Sequence, residues 1–123
     1  MNYWFLMSGG FISFLGVLIH GIIGTRIYMN DINKSDLDTL TKSLSLISWH
    51  VFTIFLFIGA VTLIIVAYNP SLRIVAYPII IINAIGAILF VYLGLGSHKA
   101  LLKMPGAYLM ASTAIVSYLG IVL

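Results

Sequence analysis

Residues 51–68 read VFTIFLFIGAVTLIIVAY, a run without a single charged side chain. A predominantly apolar stretch of about 20 residues is long enough to cross the ~30 Å hydrocarbon core of a bilayer as a helix. Asn69, Pro70 and Ser71 follow at once. Proline cannot extend a helix and pushes the residue before it out of the helical region, so the run is expected to end in a tight turn.

The same helix is expected to begin well before residue 51. Ser35 and Asp38 have the spacing of a capping box, in which a hydroxyl and a later carboxylate satisfy free backbone donors. Apolar residues then recur at three- and four-residue intervals, at Leu37, Leu40, Leu44 and Ile47. This pattern predicts a helix that starts near residue 36 as an amphipathic stretch and crosses the membrane over 44–68.

Three further apolar runs flank this one, at 3–24, 74–95 and 105–123. Tyr3 and Trp4 suit a membrane interface at the start of the first run, and Pro105 suits the first turn of the last. Short connections place helices that are neighbours in sequence next to each other in space. We therefore predict one all-α membrane domain, an antiparallel up-down bundle of four transmembrane helices.

The composition agrees with that class. Of 123 residues, 62% are hydrophobic and 7% are charged, whereas a soluble domain has about 25% charged residues. Four spans would use about 80 residues, which leaves no room for a soluble domain. The chain has no cysteine, so disulfides, thiolate metal sites and iron–sulfur clusters are excluded. The net charge of +3 is better explained by membrane topology than by nucleic-acid binding, which we do not expect.

Basic residues predict the orientation. The connections after helices 1 and 3 hold five of them, and the connection after helix 2 holds only Arg73. Because cytoplasmic loops carry an excess of lysine and arginine, both termini are expected outside and the two basic connections in the cytoplasm.

Small residues mark two helix faces. In helix 1 they form a stripe at Gly9, Ser13, Gly16 and Gly24, with His20 on the same side, and in helix 4 they recur from Gly106 to Gly120. Small side chains let helices approach closely in lipid, so these faces are expected to point into the bundle. Asn83, near the middle of helix 3, is most simply interpreted as a residue that forms a hydrogen bond to a neighbouring helix.

The three histidines are predicted to share one layer. At ~1.5 Å per residue, His20, His50 and His98 lie roughly 24, 27 and 31 Å from the outer aromatic residue of their helices, close to the cytoplasmic boundary. His20 and His50 are expected to face each other, with His98 nearer the surface. Ionisable residues within a membrane are costly, which makes them candidates for function.

Several roles for this layer remain open. His20 and His50 with Trp49 could hold a cofactor such as haem, and His20, His50 and His98 could ligate copper or zinc. They could also bind a quinone or a lipid head group. Alternatively, the histidines only bond to nearby hydroxyl groups, His98 belongs to the basic belt, and Trp49 is an interfacial anchor.

Other functions have less support. All three aspartates lie in the connection after helix 1, so a proton-coupled exporter would lack its membrane carboxylate. No hydrolase, zinc-protease or P-loop motif is present, which favours a protein that is not an enzyme. A channel or carrier along the small-residue face is a third reading, although no charged group lies in the middle of any span.

The ends of helices 1 and 2 carry a resemblance. Residues 20–24 read HGIIG and are followed by Arg26, and helix 2 contains Ser48-Trp49-His50. In layout the chain resembles, over most of its length, a group of small four-span bacterial membrane proteins of uncharacterised function. The resemblance implies a multi-pass protein of the bacterial inner membrane with His20, Trp49 and His50 as its signature, and it implies no activity.

These observations lead to two functional hypotheses. The first is a non-enzymatic accessory subunit or homo-oligomer that works with other membrane-protein subunits in the lipid bilayer. The second is a small haem-, metal- or quinone-binding membrane redox protein that uses the histidine layer.

Overall fold

The computed structural model describes residues 1–123 and is helical throughout, without a strand. Four helices are long and apolar enough to cross a membrane, which confirms the all-helical class. The predicted spans overlap these helices. They are α1 (Tyr3–Lys34), α2 (Thr39–Tyr68), α3 (Pro70–Leu95) and α4 (Pro105–Val122).

Helix α1 changes its winding along its length. It is α-helical over Tyr3–Leu18, π-helical over Ile19–Met29 and α-helical again over Asn30–Lys34. The side chain of Asn2 caps it by accepting hydrogen bonds from the backbone N–H groups of residues 4 and 5. π-Helical turns are rare in proteins, and those that occur often lie at functional sites. This stretch contains His20.

Helix α2 begins at Thr39, later than the sequence pattern predicts. Asp38 is its N-cap, and its carboxylate accepts hydrogen bonds from the backbone N–H and the hydroxyl of Thr41. The predicted capping box does not form, because the Ser35 hydroxyl donates to the carbonyl of Ile32 at the end of α1. Ser35 and Asp38 therefore cap different helices, since Ser35 follows the last turn of α1 and Asp38 precedes the first turn of α2.

The remaining connections are short. Helix α3 opens with a 3₁₀ turn, Pro70–Val75, and is α-helical over Ala76–Leu95. A second 3₁₀ turn, Lys99–Lys103, leads to α4, which has Pro105 in its first turn. Proline suits that position because its missing N–H would have no partner there.

Helix α1 lies between α2 and α4, and α4 also packs along α3. The Ser13 hydroxyl donates to the Leu56 carbonyl of α2 over 2.9 Å. On the other side, Gly9 lies against Ser117 of α4, and Gly120 lies against Leu6. The small-residue faces of α1 and α4 are buried, which confirms that they point into the bundle.

The core is concentrated at one end. Its buried side chains come from all four helices and lie near both termini and the α2–α3 connection, at Leu6, Leu63, Val66, Ala67, Ala76, Ile80, Ala114 and Ile121. Helices α2 and α3 touch each other far less than the other adjacent pairs do. The other half of the bundle is therefore less tightly packed, and large apolar side chains such as Ile88 and Leu95 are exposed on its outside.

Candidate functional site

A cavity of about 730 Å³, open on one side, lies between the helices in the less tightly packed half. All four helices and the 3₁₀ turn before α4 contribute to its wall. The wall is mostly apolar, with polar groups from Ser13, His20, Asn83 and Thr113 and from two aromatic residues, Tyr28 and Trp49. Small-molecule sites in proteins typically have volumes of about 300–1,000 Å³ and this kind of lining.

The imidazole of His20 is held between aromatic rings of α2. It stacks on the indole of Trp49, with ring centroids 4.0 Å apart and planes inclined by 15°. Phe52 meets the imidazole edge to face, with centroids 4.9 Å apart. Packing on two sides therefore fixes the plane of the ring.

Hydrogen bonds fix the rotation of that ring and its proton. His20 Nδ1 lies 2.9 Å from the Thr53 hydroxyl oxygen, and this hydroxyl donates to the backbone carbonyl of Trp49. Since the hydroxyl proton is already used, the oxygen accepts from Nδ1–H. The neutral imidazole then carries no proton on Nε2, which makes no hydrogen bond to another protein group.

Trp49 donates hydrogen bonds to the π-helical segment of α1. Its indole Nε1–H lies 3.1 Å from the His20 carbonyl oxygen and 3.0 Å from the Thr25 hydroxyl oxygen. The Thr25 hydroxyl itself donates to the carbonyl of Gly21. Backbone and side chain of His20 are thus both bonded to α2.

Two glycines make this close approach possible. A Cβ atom on Gly24 would lie 2.6 Å from Cζ2 of the Trp49 indole, and one on Gly21 would lie 2.8 Å from Cγ2 of Thr53. Separations under about 3 Å are not tolerated between carbon atoms that are not bonded to each other. The sequence HGIIG therefore supplies the histidine together with the space that its partners on α2 require.

Asn83 borders the same cavity from α3 and is 5% exposed. Its side-chain amide donates to the Ile79 carbonyl over 2.9 Å, which leaves the side-chain oxygen without a partner. A buried polar atom without a hydrogen bond is uncommon, since it costs about 1–3 kcal/mol.

A contact between α1 and the connection from α3 to α4 borders the cavity. The Tyr28 hydroxyl donates to the sulfur of Met104 over 3.2 Å, and Tyr28 also lies next to Trp49. Met104 and Leu101 belong to the cavity wall. The segment between α3 and α4 therefore forms part of the site.

The structure separates the three predicted histidines. His20 and Trp49 both line the cavity, whereas His50 and His98 are exposed and do not. No hydrogen bond or ring contact joins His20 to His50, and Trp49 takes the place of the expected second imidazole. No group of three or more histidine, cysteine or carboxylate side chains is arranged to hold a metal ion, so haem or metal binding by this layer is not supported.

Thr53 and Phe52 also contact His20 and were not among the residues predicted for the site. Thr53 follows Trp49 by four residues and therefore lies on the same face of α2, while His50 points about 100° away. Helical spacing from Trp49 could have identified both partners of His20. No sequence signal indicated the cavity itself.

Comparison with models of protein families, with curated proteins and with solved structures gives no match to this chain.

Proposed function

We propose that this chain is a multi-pass protein of the bacterial inner membrane whose four helices form an antiparallel up-down bundle. Its exposed apolar side chains and four long apolar helices support insertion into a bilayer. Contacts that pair the start of α1 with the ends of α2 and α4, such as Tyr3 with Tyr68 and Leu6 with Gly120, support the antiparallel order.

The proposed orientation places both termini outside. The basic residues of the connections after α1 and α3 support this orientation. The cavity would then lie in the cytoplasmic half of the membrane, because it is bordered by Tyr28, Met104 and the 3₁₀ turn of the third connection.

We further propose that the protein binds a small, largely apolar molecule in this cavity. The observation that carries the proposal is the cavity itself, about 730 Å³ of mostly apolar space beside an imidazole held in a fixed orientation. This conclusion retains the quinone- or lipid-binding part of the second hypothesis. The haem and metal parts are not favoured, because the cavity wall offers one histidine and no cysteine or carboxylate.

The protein is proposed to act as an accessory subunit or homo-oligomer rather than as an enzyme. The cavity wall holds no pair of groups suited to acid–base or nucleophilic catalysis. A bound apolar molecule would thus be held or presented to other membrane-protein subunits.

A substitution that fills the cavity tests this proposal. Gly16 lines the cavity, and a Cβ atom there meets only Leu56 at an ordinary 3.5 Å, so the phenyl ring of Gly16→Phe can extend into the space. Leu18→Phe adds a ring on the exposed side of the same helix and is the matched control.

We expect the purified protein and the Leu18→Phe control to retain a stoichiometric apolar molecule, detected by mass spectrometry after organic extraction. Gly16→Phe should lose it while keeping its helical circular dichroism. Equal amounts of the same molecule in Gly16→Phe and the control would contradict binding in the cavity.

A further inference from the structure

Resting on the proposed binding function, we propose that the cavity ligand is a neutral amphiphile whose hydroxyl group donates a hydrogen bond to Nε2 of His20. This chemistry follows from a hydrogen-bonding group that the protein leaves unused and from the absence of charged side chains in the cavity wall.

The imidazole of His20 presents a free acceptor in the cavity wall. His20 Nε2 carries a lone pair because Nδ1–H is given to Thr53. The side-chain oxygen of Asn83 is also unpartnered, but it has almost no accessible surface and is not available to a ligand in the cavity. A ligand that presented only a carbonyl or ether oxygen would leave Nε2 of His20 without a partner, whereas a hydroxyl group can donate to it.

The ligand is expected to carry no charge. No aspartate, glutamate, lysine or arginine belongs to the cavity wall. An ion bound there would lose part of its hydration without gaining a partner of opposite charge, which is unfavourable in a medium of low polarity. Phospholipid head groups and carboxylates are therefore poor ligands.

A hydroxyl group on an apolar body needs only one acceptor, because the rest of the molecule packs against the mostly apolar wall of the cavity.

Two kinds of membrane molecule have this chemistry. One is a phenol with an apolar tail, the class that includes quinols, and the other is a glycerolipid alcohol such as a diacylglycerol. Matched probes separate them: 4-nonylphenol with its methyl ether, and 1,2-dioctanoylglycerol with its 3-O-methyl ether. Within each pair, only the hydroxyl proton is exchanged for a methyl group.

Affinities are measured on the full chain in lipid nanodiscs, with empty nanodiscs as the reference for partitioning. Trp4 is 76% exposed, so Trp4→Phe leaves Trp49 as the only tryptophan and its fluorescence as a signal from the cavity. We expect the hydroxyl form of at least one pair to bind about fivefold more tightly than its ether, the ratio that a net hydrogen bond of about 1 kcal/mol gives.

Two variants assign that preference to His20. His20→Phe keeps an aromatic ring on Trp49 but has no acceptor, so the ratio of affinities should fall to about one while the ether still binds. His20→Gln places an amide oxygen near the former Nε2 and should restore part of the preference. Because the ether reports on the cavity independently, a general loss of folding is distinguished from the loss of the hydrogen bond.

A preference for the phenol indicates a quinol-like ligand, and a preference for the diacylglycerol indicates a lipid alcohol. Equal affinity within both pairs would overturn the proposal and leave the cavity as an apolar binding site. Failure of all four probes to bind, together with no extracted molecule, would refute the proposed function as well. A haem absorption band that is lost in His20→Phe would overturn the proposal, because it would show that His20 ligates iron and does not accept a hydrogen bond from a hydroxyl group.

Discussion

His20 and Trp49 bind each other twice, through their rings and through the backbone. The imidazole stacks on the indole at 4.0 Å, and the indole N–H donates to the carbonyl of His20 itself. One interaction uses the side chain of His20, and the other uses its backbone. Helix α2 therefore holds the π-helical segment of α1 at the point where the histidine meets the cavity.

Replacing Trp49 separates the two interactions. Trp49→Phe keeps a stacked ring but loses the indole N–H, and we expect it to lower the free energy of unfolding by about 1 kcal/mol. Trp49→Leu also loses the aromatic contact and should cost about 2 kcal/mol. Equilibrium unfolding in mixed micelles measures both values, and Trp4→Phe, at an exposed position without side-chain hydrogen bonds, should change stability by less than about 0.5 kcal/mol.

Two glycines of α1 should respond in opposite ways to alanine. At Gly24 the new methyl group would overlap the Trp49 indole, so Gly24→Ala should destabilise the protein by about 1–3 kcal/mol. At Gly16 the methyl group meets Leu56 at an ordinary distance, and Gly16→Ala should stabilise the helix by up to about 1 kcal/mol. Thermal unfolding in detergent compares them, and equal effects would mean that Trp49 does not lie over Gly24.

Asn83→Leu removes a buried oxygen that has no partner. Without an added ligand we expect this variant to be about 1 kcal/mol more stable than the natural chain, because the unsatisfied group is lost together with a local hydrogen bond. Asn69 makes the same bond to the carbonyl four residues earlier from an exposed position, so Asn69→Leu serves as the control. A gain at position 69 that equals the gain at 83 would rule out burial as the cause.

The start of α2 should weaken in acid. Hydrogen bonds from the hydroxyl and backbone N–H of Thr41 lower the pKa of Asp38 from its ordinary value of 3.8. A carboxylate with a lowered folded pKa contributes its stability in full above 3.8 and loses it as the pH falls through the lower folded value.

Asp38→Asn keeps an acceptor for the Thr41 N–H but does not titrate in this range. Its stability should therefore change less than that of the natural chain between pH 4 and pH 2, as followed by circular dichroism at roughly these two pH values. The same dependence on pH in both proteins would assign the acid sensitivity to another group.

The proposed orientation is tested with single cysteines, since the natural chain has none. Asp36 and Ser71 are both exposed, in the connections after α1 and α2. With intact cells and a membrane-impermeant thiol reagent, Ser71→Cys should be labelled and Asp36→Cys should not. Labelling of Asp36→Cys from outside would reverse the orientation.

Local sequence signals predicted the helices well. An uncharged run followed by Asn69-Pro70 marks the end of α2, and Pro105 marks the start of α4, because proline restricts the backbone by itself. The buried face of α1 could be predicted equally well from the spacing of its small residues, since helices can approach closely only where side chains are small.

The site was harder to predict, because it depends on the direction of each side chain around its helix and on the space between helices. His50 follows Trp49 by one residue, and its helix position, rather than its depth, turns it away from His20. The π-helical winding of residues 19–29 has no known residue pattern, and it changes which side chains of α1 share a face. The cavity lies in the half of the bundle where α2 and α3 touch little, and short apolar motifs do not encode the distance between helices.

Helix α1 runs without a break over 32 residues, roughly 45 Å and longer than the ~30 Å core of a bilayer. Its tip is braced where the Lys42 ammonium donates to the carbonyl of Asn33 over 3.1 Å. The part of α1 that follows Leu18 is therefore attached to α2 at two levels, through Trp49 at the π-helical segment and through Lys42 at the tip.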